Sequence, residues 1–83
     1  MSEAELLRRI TFDSRIFGGK PLVRGRRLAV EHILGLLENG DTSESILVAY
    51  PWMEKEDIQA CLAFARRRIS GERIDLVPTA SES

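Results

Sequence analysis

Phe17–Val30 reads FGGKPLVRGRRLAV. Two glycines precede a lysine, so the first question is whether this is a phosphate-binding loop. Such a loop needs a longer glycine-to-lysine spacing, a serine or threonine after the lysine for magnesium, and a helix immediately following. Here Pro21 and two aliphatic residues follow Lys20, with no hydroxyl. Pro21 also biases Lys20 away from helix. The reading that remains is architectural. Gly18 and Gly19 permit a sharp reversal, Pro21 fixes the approach to a strand, and the basic side chains face a partner. Leu22-Val23 and Leu28-Ala29-Val30 flank a turn at Arg24-Gly25-Arg26, which predicts a β-hairpin. No nucleotide or other cofactor is expected.

From Val30 the period changes. Val30, Ile33, Leu34 and Leu37 recur at helical spacing, and Asn39-Gly40 is a natural stop. Asp41 or Thr42 caps a short second helix presenting Ile46, Leu47 and Tyr50, with Asp41 and Glu44 at capping-box spacing. Pro51 ends it. A longer third helix starts near Glu54–Glu56, places Ile58, Cys61, Leu62, Ala65 and Ile69 on one face, and ends at Gly71. Phe64 lies off that face, to pack under the hairpin or to meet another protomer. Upstream, Ile10–Phe12 suits a short strand, Asp13-Ser14 a turn, and residues 2–9 a helical turn or frayed arm. The expected fold is mainly α: an N-terminal β-hairpin followed by a three-helix helix-turn-helix bundle. Its expected parts are an arm (1–9), one domain (10–70) and a tail (71–83).

Eighty-three residues suit a single domain. A chain this short buries only about 60% of its extended surface, so a partner that shares burial is physically reasonable. No apolar run approaches a membrane span, and MSEAELLRRI lacks the long apolar segment of a signal peptide. One cysteine, Cys61, excludes an internal disulfide framework and is compatible with a reducing, cytoplasmic setting. The net charge of −1 hides an asymmetry: residues 1–29 carry seven basic and three acidic side chains, residues 30–70 four and seven. The basic third is either part of a solvated mixed surface or a face for phosphate or an acidic partner.

Catalytic chemistry is not expected. His32 is the only histidine and has no neighbouring ligand set for zinc. Cys61 on an apolar face reads as a buried thiol. Asp41, Glu44, Glu54, Glu56 and Asp57 fall at helix starts, where acids favour the dipole. Trp52 and Met53 sit between the second and third helices, either as a core plug or as an anchor for another subunit. In the tail, Ile74, Leu76 and Val77 either fold back on their own domain or clamp another chain, and Ser81–Ser83 suits disorder.

Residues 10–65 closely resemble the prokaryotic domain-of-unknown-function family numbered 433. The resemblance rests on Gly18, Gly19, Lys20, Pro21, Arg24, Gly25, Arg27 and Val30, and later on Tyr50, Pro51, Asp57 and Ile58. The chain departs from the family pattern at Ser14 and Ala29, where prolines are usual, and at Arg26 and Glu54, where threonine is usual. Glutamate is the poorer cap, and Arg26 adds charge at the turn. The resemblance implies a homeodomain-like helix-turn-helix. It also implies an antitoxin that masks a small PIN-like nuclease toxin encoded beside it and binds its own promoter as an oligomer. The alternative is a freestanding DNA-binding transcriptional regulator.

In that frame Lys55 and Gln59, near the start of the third helix, contact DNA bases, and Lys20, Arg24, Arg26 and Arg27 contact phosphates. Arg66, Arg67, Arg68 and Arg73, with Ile74, Leu76 and Val77, meet the nuclease. Truncation after Ser70 is expected to spare the bundle and weaken that contact. Trp52, Phe64 and the hairpin are the candidate contacts of a homodimer.

Overall fold

The computed structural model describes residues 1–74 and 76–79. The chain runs α1 (Glu3–Leu7), β1 (Ile10–Phe12), one 3-10 turn (Phe17–Gly19), β2 (Leu22–Val23), α2 (Val30–Glu38), α3 (Ser43–Ala49), α4 (Lys55–Ile69) and β3 (Val77–Pro78). An antiparallel strand pair thus precedes the main helices. Among the described residues no helix is long and apolar enough to cross a membrane.

The strand pair differs from the expected one. β2 pairs with β1, with Ile10 opposite Val23 and Thr11 opposite Leu22. The expected partnership with Leu28–Val30 shrinks to a single bridge between Leu22 and Ala29. The reason is the early start of α2. The Val30 N–H donates to the Pro21 carbonyl at 2.9 Å, and from that residue the backbone is helical. Only a tight loop remains, closed by Arg26 N–H to the Val23 carbonyl at 2.9 Å and Val23 N–H to the Leu28 carbonyl at 3.0 Å. The other edge of β2 is left for β1. The reversal between β1 and β2 needs left-handed backbone at Gly18 (φ 66°) and Gly19 (φ 85°), with Phe17 drawn to φ 49° beside them. That conformation costs little only at glycine.

Helix starts are set by local hydrogen bonds. Thr42, not Asp41, caps α3: its Oγ1 accepts from Ser45 N–H at 3.1 Å, and Ser45 Oγ accepts from Thr42 N–H at 3.0 Å. At α4 the Glu54 N–H donates to Asp57 Oδ2 at 2.8 Å.

The core gathers Ile10, Val23, Ile33, Ile46, Ile58 and Cys61 around α4. The buried face of α4 is rotated from the expected one. It comprises Asp57, Ile58, Ala60, Cys61 and Phe64, whereas Leu62 is 50% and Ile69 87% exposed. The rotation follows from cover that periodicity within α4 does not reveal. The arm forms α1, which docks along α4 and packs Leu6 and Leu7 against the core.

The described part of the tail folds back on its own domain. β3 adds to β1 in parallel, with Thr11 opposite Val77 and Phe12 opposite Pro78, giving the order β2-β1-β3. Thr79 N–H donates to the Phe12 carbonyl at 2.9 Å, and Thr79 Oγ1 to buried Asp13 Oδ2 at 3.1 Å. Ile74 and Leu76 pack against the core. Gly25 (φ 72°) lies under this strand's end, where an added Cβ would stand 3.4 Å from Thr79 Cγ2. Ser81–Ser83 lie outside the described residues.

Candidate functional site

The densest charge chemistry surrounds Asp57, which is 0% exposed. Arg24 reaches it from the loop after β2, donating from Nε to Oδ1 and from Nη2 to Oδ2, both at 2.8 Å. Its Nη2 also donates to the Trp52 carbonyl at 3.0 Å. Arg9, between α1 and β1, donates from Nη1 to Asp57 Oδ1 at 2.9 Å and to Glu54 Oε1 at 2.7 Å. Three segments distant in sequence therefore meet on one carboxylate. Burial pushes Asp57 upward, but donors from Arg24, the Glu54 amide and Arg9 outweigh it, and the carboxyl is held below its ordinary value. The bonds to Glu54 and Asp57 raise Arg9 in turn.

The sign of the pH effect follows. A depressed carboxyl adds stability above its unfolded pKa of about 3.9, and that stability is lost as pH falls through the lower native value. We therefore expect wild type to exceed Asp57→Asn in melting temperature at neutral pH. The gap should close progressively below about pH 4, as thermal melts across an acid series would show. A constant gap would mean that Asp57 does not titrate with folding.

The residues expected at DNA are dispersed. Arg24 is committed to Asp57. Lys20 Nζ pairs with Glu31 at 2.6 Å. Arg26 stacks over the Trp52 ring at 4.6 Å, with Arg24 at 5.5 Å from the same ring. Arg27 borders an open cleft of about 870 Å³ beside Phe17, His32 and Tyr50. Lys55 and Gln59 are exposed one turn apart on α4. The structure thus places Lys55 and Gln59 on one helix face, and Arg26 near the loop that precedes it.

The partner set divides differently. Arg66 pairs with Glu3 and, at 3.5 Å, with Glu72. Arg67 lies 3.5 Å from Glu3 and 3.1 Å from Glu72, and its Nη2 donates to the Arg73 carbonyl at 3.4 Å. These contacts tie the arm, the end of α4 and the start of the tail into one surface. Ile74 and Leu76 spend part of their surface on the core, and the Val77 backbone is in β3. Arg68 instead lines a groove with Leu34, Ala65, Ile69 and Leu76.

Of the dimer candidates, Phe64 is 7% exposed and belongs to the core. Trp52 is half-buried beneath its two arginines. His32 Nε2 contacts the Tyr50 hydroxyl at 3.1 Å. Cys61 is buried, and that burial, reinforced by Asp57, pushes its thiol up to about 12, far from a reactive thiolate. Among the described residues no three His, Cys, Asp or Glu side chains are grouped to hold a metal ion.

Sequence reasoning took Asp57 as an acid at a helix start and as a motif residue, and gave Arg9, Glu3 and Glu72 no role. Arg24 and Asp57 both belong to the motif residues, but nothing in a separation of 33 positions shows that they touch.

The family model described as "Protein of unknown function (DUF433)" matches residues 10–65. The match spans more than half of the chain, and the protein belongs to that family. No curated protein and no solved structure matches it.

Proposed function

We propose that this protein acts by binding, as the antitoxin of a type II toxin–antitoxin pair, and that it neutralises a small PIN-like ribonuclease encoded beside it. Family membership supports the class. The observation that carries the mechanism is the arginine surface at the end of α4. Arg66 is 57% exposed and held by Glu3 and Glu72. Arg67, next to it in the chain, donates to the Arg73 carbonyl. Exposed ion pairs of this kind contribute little net energy, so carboxylates of a partner exchange with Glu3 and Glu72 at small cost. A planar guanidinium pairs bidentately with the acidic centre of such a nuclease. The two resident acids hold the arginines in position until then.

In the same proposal, α3 and α4 form a homeodomain-like helix-turn-helix that binds the operon's promoter, with the protein as a homodimer. Lys55 and Gln59 offer the exposed contacts at the start of α4, where a recognition helix meets base edges. Arg26 and Arg27 supply phosphate contacts. Arg24 is assigned to the fold instead, because Asp57 already occupies it.

Co-expression with the neighbouring gene tests the reading. The expected result is a co-purified complex without ribonuclease activity, with Arg66→Glu restoring activity while leaving the far-UV circular dichroism unchanged. A neighbour that neither binds nor is toxic overturns the antitoxin reading. If promoter DNA then shifts in a salt-dependent manner, the freestanding regulator takes its place.

A further inference from the structure

The open cleft along α2 has a lining that the fold does not explain. Phe17 borders it, 51% exposed and outside the core. Its φ of 49° is left-handed, a strained setting for a bulky residue, and strain of this kind gathers at ligand sites. Gly35 borders the cleft from the interior of α2, where glycine costs helix stability relative to alanine. An added Cβ there would meet nothing within 4 Å, so packing within the chain does not ask for glycine. Arg27 borders it too. It is exposed, and among the described residues it has no opposite charge within 4 Å.

The same lining defines what the cleft takes. Its charged side chains are Lys20, Glu31 and Arg27. Lys20 and Glu31 offset each other at 2.6 Å, which leaves the positive charge of Arg27. Three rings, Phe17, His32 and Tyr50, share the cleft, and aromatic rings hold nucleobases by stacking. A nucleotide within a single strand brings one flat base and one phosphodiester charge. In a duplex the base faces are already stacked, so unpaired nucleotides are the ones that fit. An acidic peptide matches the charge but offers the rings no comparable set of flat faces. At about 870 Å³ the cleft has the size of a ligand site. The missing phosphate-loop pattern concerns a backbone cradle for polyphosphate and leaves recognition by side chains open.

We propose that this cleft binds an unpaired nucleotide of single-stranded RNA or DNA, with the base against Phe17 and the phosphate on Arg27. Gly35 keeps the room it needs. The inference goes beyond the antitoxin reading, because it requires neither the nuclease nor the promoter duplex, and it gives Arg27 to the cleft.

Fluorescence anisotropy on the full chain tests it, with short fluorescein-labelled oligouridylate and oligodeoxythymidylate at low salt and circular dichroism confirming that each variant is folded. At least one strand should bind saturably, and the tighter one identifies RNA or DNA as the source. Phe17→Ala should weaken binding at least about fivefold, and Phe17→Trp, which keeps a stacking face, should retain it. Arg27→Ala should lower the slope of log affinity against log salt by about 0.7, the share of one phosphate on a single strand. Gly35→Leu should fill the cleft and abolish binding while holding or raising the melting temperature, since leucine is the better helix former. Arg66→Gln, on the nuclease surface, should bind as wild type does. No saturable binding by either strand overturns the proposal and leaves the antitoxin reading standing. Binding that Phe17→Ala or Gly35→Leu leaves intact also overturns it, as does polyglutamate displacing the strand as well as unlabelled oligouridylate does.

Discussion

Arg24→Ala is expected to lower the unfolding free energy by about 3 kcal/mol, the cost of leaving a buried carboxylate without its principal partner. For a domain of this size that corresponds to a fall in melting temperature of roughly 15 °C. Asp57 is wholly buried and loses two donors at 2.8 Å, keeping Arg9 and the Glu54 amide. The retained donors place the effect at the lower end of the range for broken buried pairs. Trp52 also loses the hydrogen bond to its carbonyl and one of its two stacked cations. Arg24→Lys should recover only part of the loss, because an ammonium cannot fork across both carboxylate oxygens. Urea and thermal unfolding give the numbers. A loss under about 1 kcal/mol, the scale of an exposed pair, would show that Arg9 suffices. Combining Arg24→Ala with Asp57→Ala should cost less than the sum of the two single changes, as expected for side chains in contact.

Truncation after Ser70 is expected to destabilise the domain by about 2–4 kcal/mol, with roughly 1 kcal/mol or more from each partly buried aliphatic side chain removed. This reverses the expectation that the tail is dispensable for the bundle. Loss of Ile74 and Leu76 uncovers the core they pack against. Loss of β3 leaves the β1 edge unpaired and open to pairing with other chains. Asp13 loses the Thr79 hydroxyl, and Arg66 and Arg67 lose Glu72. Thermal melts and hydrogen exchange at Ile10–Phe12 would register the change. Unaltered stability and protection would show that β3 is accessory. Weaker nuclease binding by a truncated chain would mix lost contacts with lost fold, so single substitutions such as Arg66→Glu map that surface more cleanly.

These expectations depend on contacts between residues far apart in the chain, and the sequence by itself determined a different layer. Helix positions follow from it because their signals are local. The spacing of Val30, Ile33, Leu34 and Leu37, the stop at Gly40, the Tyr50-Pro51 break and the acidic start near Glu54–Glu56 each act within a few residues. The reversal at Gly18-Gly19 is equally local, since only left-handed backbone turns there. The motif spacing also carried the family, which the model match over residues 10–65 establishes.

Tertiary structure alone decided which faces are covered. Leu62 and Ile69 fit the helical stripe of α4, yet the arm docks so that Phe64 and Asp57 go inside and those two remain in solvent. β2 pairs with β1 because α2 begins at Val30 and leaves no strand on its other side. The basic residues of the first third looked equivalent as charges, and the fold separates them into Arg24 under Asp57, Lys20 beside Glu31 and Arg26 over Trp52. Periodicity and capping are written within one or two helical turns, where backbone geometry fixes which residues are neighbours. The partners of Asp57 lie 33 and 48 positions away, and only packing of the whole chain brings a guanidinium and a carboxylate over such a distance into bidentate contact.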